Sequence, residues 1–131
     1  MLRYILDTNI LIYTIKNKPE AVRQRFEQHH GEMCTSAVTA MELLYGAHKS
    51  QSVSRNLDAV EGLLARLDVL DFDISAAEHA GEIRATLARN GMPIGPYDIM
   101  IAGHARSRGL TLVTNNMSEF ERVSGLRLEN W

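Results

Sequence analysis

Three consecutive apolar residues, Tyr4-Ile5-Leu6, run straight into Asp7-Thr8-Asn9. A strand of that composition has no polar face to turn to water, so it must be covered on both sides, as at the centre of a parallel sheet. Parallel strands need crossover connections, usually helices. The rest of the chain supplies them, because short apolar runs alternate with longer stretches of helical periodicity. The expected fold class is therefore α/β, with a central, mostly parallel β-sheet flanked by α-helices.

The spacing predicts a helix from Thr8 to about Asn17-Lys18-Pro19. A second runs from Pro19, placed in its first turn, to His30 and stops at Gly31. Met33-Cys34-Thr35 reads as a strand, and Ser36 as the cap of a helix reaching about Lys49. A helix over Val53 to Leu67, a strand at Val69-Leu70 and a long helix from Ser75 to the stop at Asn90-Gly91 follow. Gly95-Pro96 opens a helix that ends near Gly109, and Leu110 to Val113 is a strand. A short helix beginning near Asn116 precedes a last strand around Leu126 to Leu128.

The 131 residues suit a single domain, 1–131, with one core. A chain that is 45% hydrophobic and 23% charged is not of disordered composition. The single Cys34 cannot pair internally, which suits a reducing compartment. The apolar stretch from Met1 to Leu6 is too short for a signal peptide. Leu11-Ile12-Tyr13 falls far short of the roughly 20 apolar residues of a membrane span. A cytoplasmic location is expected. The net charge of −2 neither points to nucleic acid nor excludes it, since a basic patch can coexist with gathered acids.

The acids carry the chemistry. In open parallel sheets, ligands bind beyond the carboxyl ends of the strands, and Asp7 has that location. It could equally cap the following helix. Val38, Met41, Glu42 and Tyr45 fall at i, i+3, i+4 and i+7, which puts a carboxylate on an apolar stripe. Such a group needs a partner, and it could also pair with a buried arginine or point out at the rim of the stripe. Asp98 shares a face with Ile101, Ala102 and Ala105 and stands in a first helical turn, where an acid also suits the helix dipole. Two carboxylates about 4 Å apart repel by roughly 4 kcal/mol at an effective dielectric near 20. Three clustered acids would use up much of a domain's stability of about 5–15 kcal/mol. They are either dispersed or joined by a hard divalent cation such as Mg²⁺ or Mn²⁺.

Four ordered motifs carry a resemblance. Leu6-Asp7-Thr8-Asn9, Ala40-Met41-Glu42-Leu43, the run from Pro93 to Ala102 that contains Asp98, and Leu112-Val113-Thr114-Asn115-Asn116 with Phe120 together resemble the motifs of PIN-domain nucleases. They span nearly the whole chain. Gly103-His104-Ala105-Arg106-Ser107-Arg108-Gly109 and Val113-Thr114-Asn115-Asn116 are similar to the VapC toxins of type II toxin–antitoxin pairs, in particular the enterobacterial ones that cleave initiator tRNA in its anticodon stem-loop.

The resemblance implies a Mg²⁺-dependent endoribonuclease, with Mn²⁺ as a substitute, that inhibits translation. Asp7 and Asp98 would be the main metal ligands. Glu42 and Glu119 would complete the catalytic set, holding a second ion or waters, while Thr8 and Asn9 orient the acids. It also implies a homodimer held by a VapB-type antitoxin whose C-terminal segment blocks the acidic groove. One departure is visible, since PIN domains often have a fourth acid where this chain has Asn116. Glu119 is the candidate replacement, but Asn116-Met117-Ser118-Glu119 also has the spacing of a capping box, which would occupy both side chains.

The five histidines, His29, His30, His48, His79 and His104, form no zinc-type spacing and read as surface or partly buried residues. Cys34 reads as core. Arg84, Arg89, Arg106 and Arg108 are expected on solvated helix faces, and Leu64 and Leu67 in the core. A haloacid-dehalogenase-like phosphohydrolase wants a second acid two residues after the first, where Asn9 stands. A receiver-like signalling module wants an acid pair after the first strand, and none is there. A catalytically degenerate PIN binding module has Asn116 as its one support.

Overall fold

The computed structural model describes residues 1–16 and 19–131. Five strands, β1 (Tyr4–Leu6), β2 (Met33–Ser36), β3 (Asp68–Leu70), β4 (Thr111–Val113) and β5 (Leu128–Glu129), form one sheet in the order β3-β2-β1-β4-β5. Every pairing is parallel. β1 sits at the centre with all three residues buried, as its lack of a polar face requires. The chain runs outward through β2 and β3 on one side of β1, then returns to build β4 and β5 on the other. The strand order therefore reverses between β1 and β4, and the crevice at their carboxyl ends is where open α/β sheets place ligands.

The helices are α1 (Thr8–Lys16), α2 (Glu20–Gln28), α3 (Ala37–His48), α4 (Val53–Leu64), α5 (Ile74–Arg89), α6 (Pro96–Arg108) and α7 (Met117–Phe120). The period of 2 along the strands divides the core into two. Ile5, Cys34 and Leu112 face one way and pack with Ile83 and Leu87 of α5 and Ile101 and Ala105 of α6. Tyr4, Leu6, Met33 and Val113 face the other way, against Ile10, Leu11, Val22, Phe26, Leu43, Val60 and Leu63. Cys34 is fully buried, and that burial pushes its thiol up to about 12. It is a core residue.

Several local expectations are met by named contacts. Ser36 Oγ caps α3 by accepting from Val38 N at 3.1 Å. Gly109 ends α6 at φ +64°, a left-handed conformation that costs glycine little. Gly103 has a packing reason instead. A Cβ there would lie 2.6–2.8 Å from the backbone N, Cα and Cβ of Ala80, so α5 and α6 touch backbone to backbone at that point.

Other boundaries differ from the sequence reading. The expected end of α1 at Asn17-Lys18 lies outside the described residues. Pro19 precedes α2 as its cap residue rather than standing in its first turn, and the helix ends at Gln28. α4 stops at Leu64, not Leu67, and both leucines are half-buried at the core margin while Leu63 is the buried one. β5 starts two residues later than expected and ends one later, because Leu112 pairs with Leu128, with Leu112 N donating to Arg127 O at 2.9 Å. Among the described residues, no helix is long and apolar enough to cross a membrane.

Candidate active site

Asp7 leaves the end of β1 at the strand-order reversal, only 5% exposed. Its Oδ1 accepts from Thr8 N at 2.7 Å and its Oδ2 from the Thr114 hydroxyl at 2.8 Å. The Asp7 carbonyl also accepts from Leu11 N at 3.2 Å, so the residue does open α1 as well. Burial pushes its carboxyl above the usual range, and the two hydrogen bonds partly offset this.

Thr8, the next residue, donates its hydroxyl to Glu42 Oε1 at 2.9 Å. Burial raises the Glu42 carboxyl, its Thr8 hydrogen bond lowers it, and the charge of Asp7 raises it further. The stripe read from the sequence is corrected here. Met41 and Tyr45 are 41% and 61% exposed, whereas the buried face of α3 is Val38, Thr39, Ala40, Leu43 and Ala47. Glu42 stands at the rim of that face, where it can reach the crevice.

Asp98 enters from the first turn of α6, above the fully buried Ile101, Ala102 and Ala105. Its carboxyl is pushed up to about 7, by burial first, then by its hydrogen bond with Glu119, then by the charges of Asp7, Glu119 and Glu42. Glu119 arrives from α7, with Oε2 accepting from Asn116 Nδ2 at 3.0 Å. The capping-box expectation fails, because the Asn116 side chain makes no cap hydrogen bond and is turned to Glu119 instead. Asn116 N donates to Thr114 Oγ1 at 3.0 Å, so Glu119, Asn116, Thr114 and Asp7 form one hydrogen-bonded line.

All four expected acids therefore meet at the carboxyl edge of the sheet, carried on four different elements. Among the described residues none of them is in an ion pair. Nor do any three acids, histidines or cysteines close into a ready-made cage for an ion. The carboxylates sense one another electrostatically without enclosing a volume. That combination suits an open oxygen-rich site in which one or two carboxylates bind a hard cation and waters fill the remaining positions. Asp98 and Glu119 share a proton in their hydrogen bond and repel once both are charged, so a compensating positive charge is what the set lacks.

Thr114 is not singled out by the sequence. Its signal is positional: it follows Leu112-Val113 in the strand beside β1, so it stands next to Asp7. Asn9, expected to help orient the acids, is exposed and makes no hydrogen bond to them among the described residues. His104 corrects the reading of the histidines as surface or partly buried. It is fully buried, with Nδ1 2.8 Å from Ser36 Oγ, and burial holds its imidazole below the usual range. Arg106 is committed to Glu82, His79 and Ser124, consistent with a structural role.

Comparison with known proteins decides the family. The PIN-domain model matches residues 4–126, and so covers every element that supplies an acid. The chain belongs to the PIN-domain family.

Within it, this PIN domain is 64% identical over 131 residues to the tRNA(fMet)-specific endonuclease VapC of Shigella flexneri, covering 100% of this chain and 99% of that one. It is 60% identical to the tRNA(fMet)-specific endonuclease VapC of Salmonella typhimurium, with the same coverage. The structure of DNA-bound VapBC from Salmonella typhimurium matches it with a TM-score of 0.96 at 60% identity, over 100% of this chain and 99% of that chain. The likeness to VapC extends from end to end.

Proposed function

We propose that this PIN domain is the toxin of a type II toxin–antitoxin pair, a metal-dependent endoribonuclease that cleaves initiator tRNA in its anticodon stem-loop and so stops translation in the cytoplasm. Metal dependence is general among PIN-domain VapC nucleases, and Mg²⁺ is the ion proposed here, with Mn²⁺ able to replace it. The observation that carries the reading is the meeting of Asp7, Glu42, Asp98 and Glu119, none of them in an ion pair among the described residues, with the Asp98 carboxyl pushed up to about 7 by burial and by its acidic neighbours. The naming of VapC relatives as tRNA(fMet)-specific endonucleases supports the substrate. VapBC complexes among the similar structures support a VapB-type antitoxin as partner, and we propose that the toxin acts as a homodimer inside that assembly.

Asp7 and Asp98 are the proposed ligands, and Glu42 and Glu119 would hold a second ion or waters. A divalent cation bound there supplies Lewis-acid stabilisation of charge developing on the phosphate and activates water as the nucleophile. To hold a cation Asp98 would have to be ionised, and its carboxyl is pushed up to about 7 by burial and its acidic neighbours. The Thr114 hydroxyl and Thr8 N fix both oxygens of Asp7, and the Thr8 hydroxyl fixes Glu42, which holds each carboxylate at a set angle before substrate arrives. Asn116 does for Glu119 what Thr114 does for Asp7. A degenerate site thereby loses its main support, since Asn116 orients an acid rather than replacing one.

Purified protein incubated with total bacterial RNA and Mg²⁺ tests the substrate, with the new ends mapped by sequencing. Ends concentrated in the anticodon stem-loop of initiator tRNA are the expected outcome. Ends scattered over many RNAs, or absent from initiator tRNA, would overturn the assignment.

A further inference from the structure

A second cleft, of about 580 Å³, is lined by Tyr13, Lys16, Pro19, Asn115 and Trp131. Asn115 joins it to the carboxylates, being the neighbour of Thr114, which binds Asp7, and of Asn116, which binds Glu119. We propose that this cleft takes an unstacked base of the RNA substrate, with Trp131 as the stacking platform and the Tyr13–Asn115 pair reading the base edge. The inference rests on the ribonuclease reading above and names residues that would hold the nucleotide beside the cut.

The platform is pre-set. The Trp131 ring stacks on His29 with centroids 5.1 Å apart and planes 22° from parallel, and it meets Tyr4 edge-on at 5.3 Å. Its Nε1 donates to Glu129 Oε1 at 3.0 Å, which fixes the ring's rotation. A half-buried indole held this way loses little freedom when a base lies on it, and base–aromatic stacking tolerates any base.

The polar groups are arranged for an edge. Asn115 Nδ2 donates to the Tyr13 hydroxyl oxygen at 2.6 Å. With that lone pair used, the Tyr13 O–H is left to donate and Asn115 Oδ1 to accept, a donor and an acceptor side by side as base edges require. Lys16, exposed at the rim, provides a point charge for the adjoining phosphate. The acids nearby would repel a phosphate without such a counter-charge. Unpaired loop bases are the part of an RNA that can enter a cleft of this kind, because a paired base offers no free face.

Trp131 is the chain's only tryptophan, so its emission reports the cleft directly. The catalytically disabled Asp98→Asn protein is titrated with an RNA hairpin of the initiator-tRNA anticodon stem-loop sequence. Tryptophan emission is followed with unlabelled RNA, and binding separately by anisotropy of a dye-labelled copy. The expected result is saturable quenching over the concentrations at which the labelled hairpin binds. Tyr13→Ala and Asn115→Ala, added singly and checked for fold by circular dichroism, should each weaken binding by about 2- to 12-fold. An abasic nucleotide at one loop position should remove the quenching.

Binding without quenching, or with affinity unchanged in both variants, would overturn the inference while leaving the ribonuclease reading standing. Failure of the hairpin to bind at all would overturn both. Quenching by a VapB-type antitoxin but not by RNA would overturn it in favour of a protein-docking cleft.

Discussion

Replacing Asp98 with Asn is expected to stop RNA cleavage and, in the metal-free protein, to raise stability. The activity loss follows from removing one of the two principal ligand carboxylates. If that withdraws several kcal/mol of transition-state stabilisation, the rate falls on the order of 10³-fold or more. The stability gain follows from the burial of the Asp98 carboxyl and from the crowding of acids around it. Its carboxyl titrates near 7 in the folded protein, against about 3.9 when unfolded. The folded state therefore binds this proton more tightly than the unfolded chain does. That contribution is fully present below about pH 4 and is lost as pH rises through about 7. Because the carboxyl is only half-buried, water screens much of the effect, and about 1–2 kcal/mol is a reasonable expectation at pH 8. The amide introduced by Asp98→Asn carries no charge and escapes the loss. Thermal melts of both proteins in chelator should diverge between pH 5 and pH 8 by the order of 5 °C. Identical melts at both values would mean that the acids do not crowd one another.

Gly103→Ala should destabilise the fold by forcing α5 and α6 apart. The new Cβ would fall 2.6–2.8 Å from Ala80 backbone and side-chain atoms, and backbone cannot swing away as a flexible side chain can. Separation of α5 and α6 at their closest point is expected to cost about 3 kcal/mol, or on the order of 10 °C in Tm. Since α6 carries Asp98, the variant should also lose cleavage activity at temperatures where it remains folded. An unchanged melting temperature would show that the two helices can part without loss.

The residues of the site are legible in the sequence to different depths. β1 is readable because three apolar residues with no polar alternation have only one stable setting, and Asp7 inherits its position from that strand. Asp98 is readable because Ile101, Ala102 and Ala105 mark the inward face of α6 without ambiguity. Glu42 reaches the site by a different geometry from the one its spacing suggests. Apolar side chains ordinarily mark the inward face of a helix, but Met41 and Tyr45 of α3 are exposed. What turns Glu42 to the crevice is the hydroxyl of Thr8, 34 residues away.

Thr114 and His104 escape a sequence reading for a shared reason. The partner of each, Asp7 for Thr114 and Ser36 for His104, is distant in sequence. Periodicity reports which face is buried, not which hydrogen bonds are made there. It also places the end of α4 late, because Leu67 still packs on the core after the helix has stopped. The Asn116–Glu119 spacing fits both a capping box and a direct side-chain bond, and only coordinates separate the two.

Whether these acids work through a cation is tested most directly on initiator tRNA. It should be incubated with the wild-type protein and Mg²⁺, with the same mixture plus excess EDTA, and with Asp7→Asn in Mg²⁺. Cleavage in the first reaction alone, restored to the second by added Mg²⁺ or Mn²⁺, is the predicted result. Cleavage that persists in EDTA or in Asp7→Asn would contradict it.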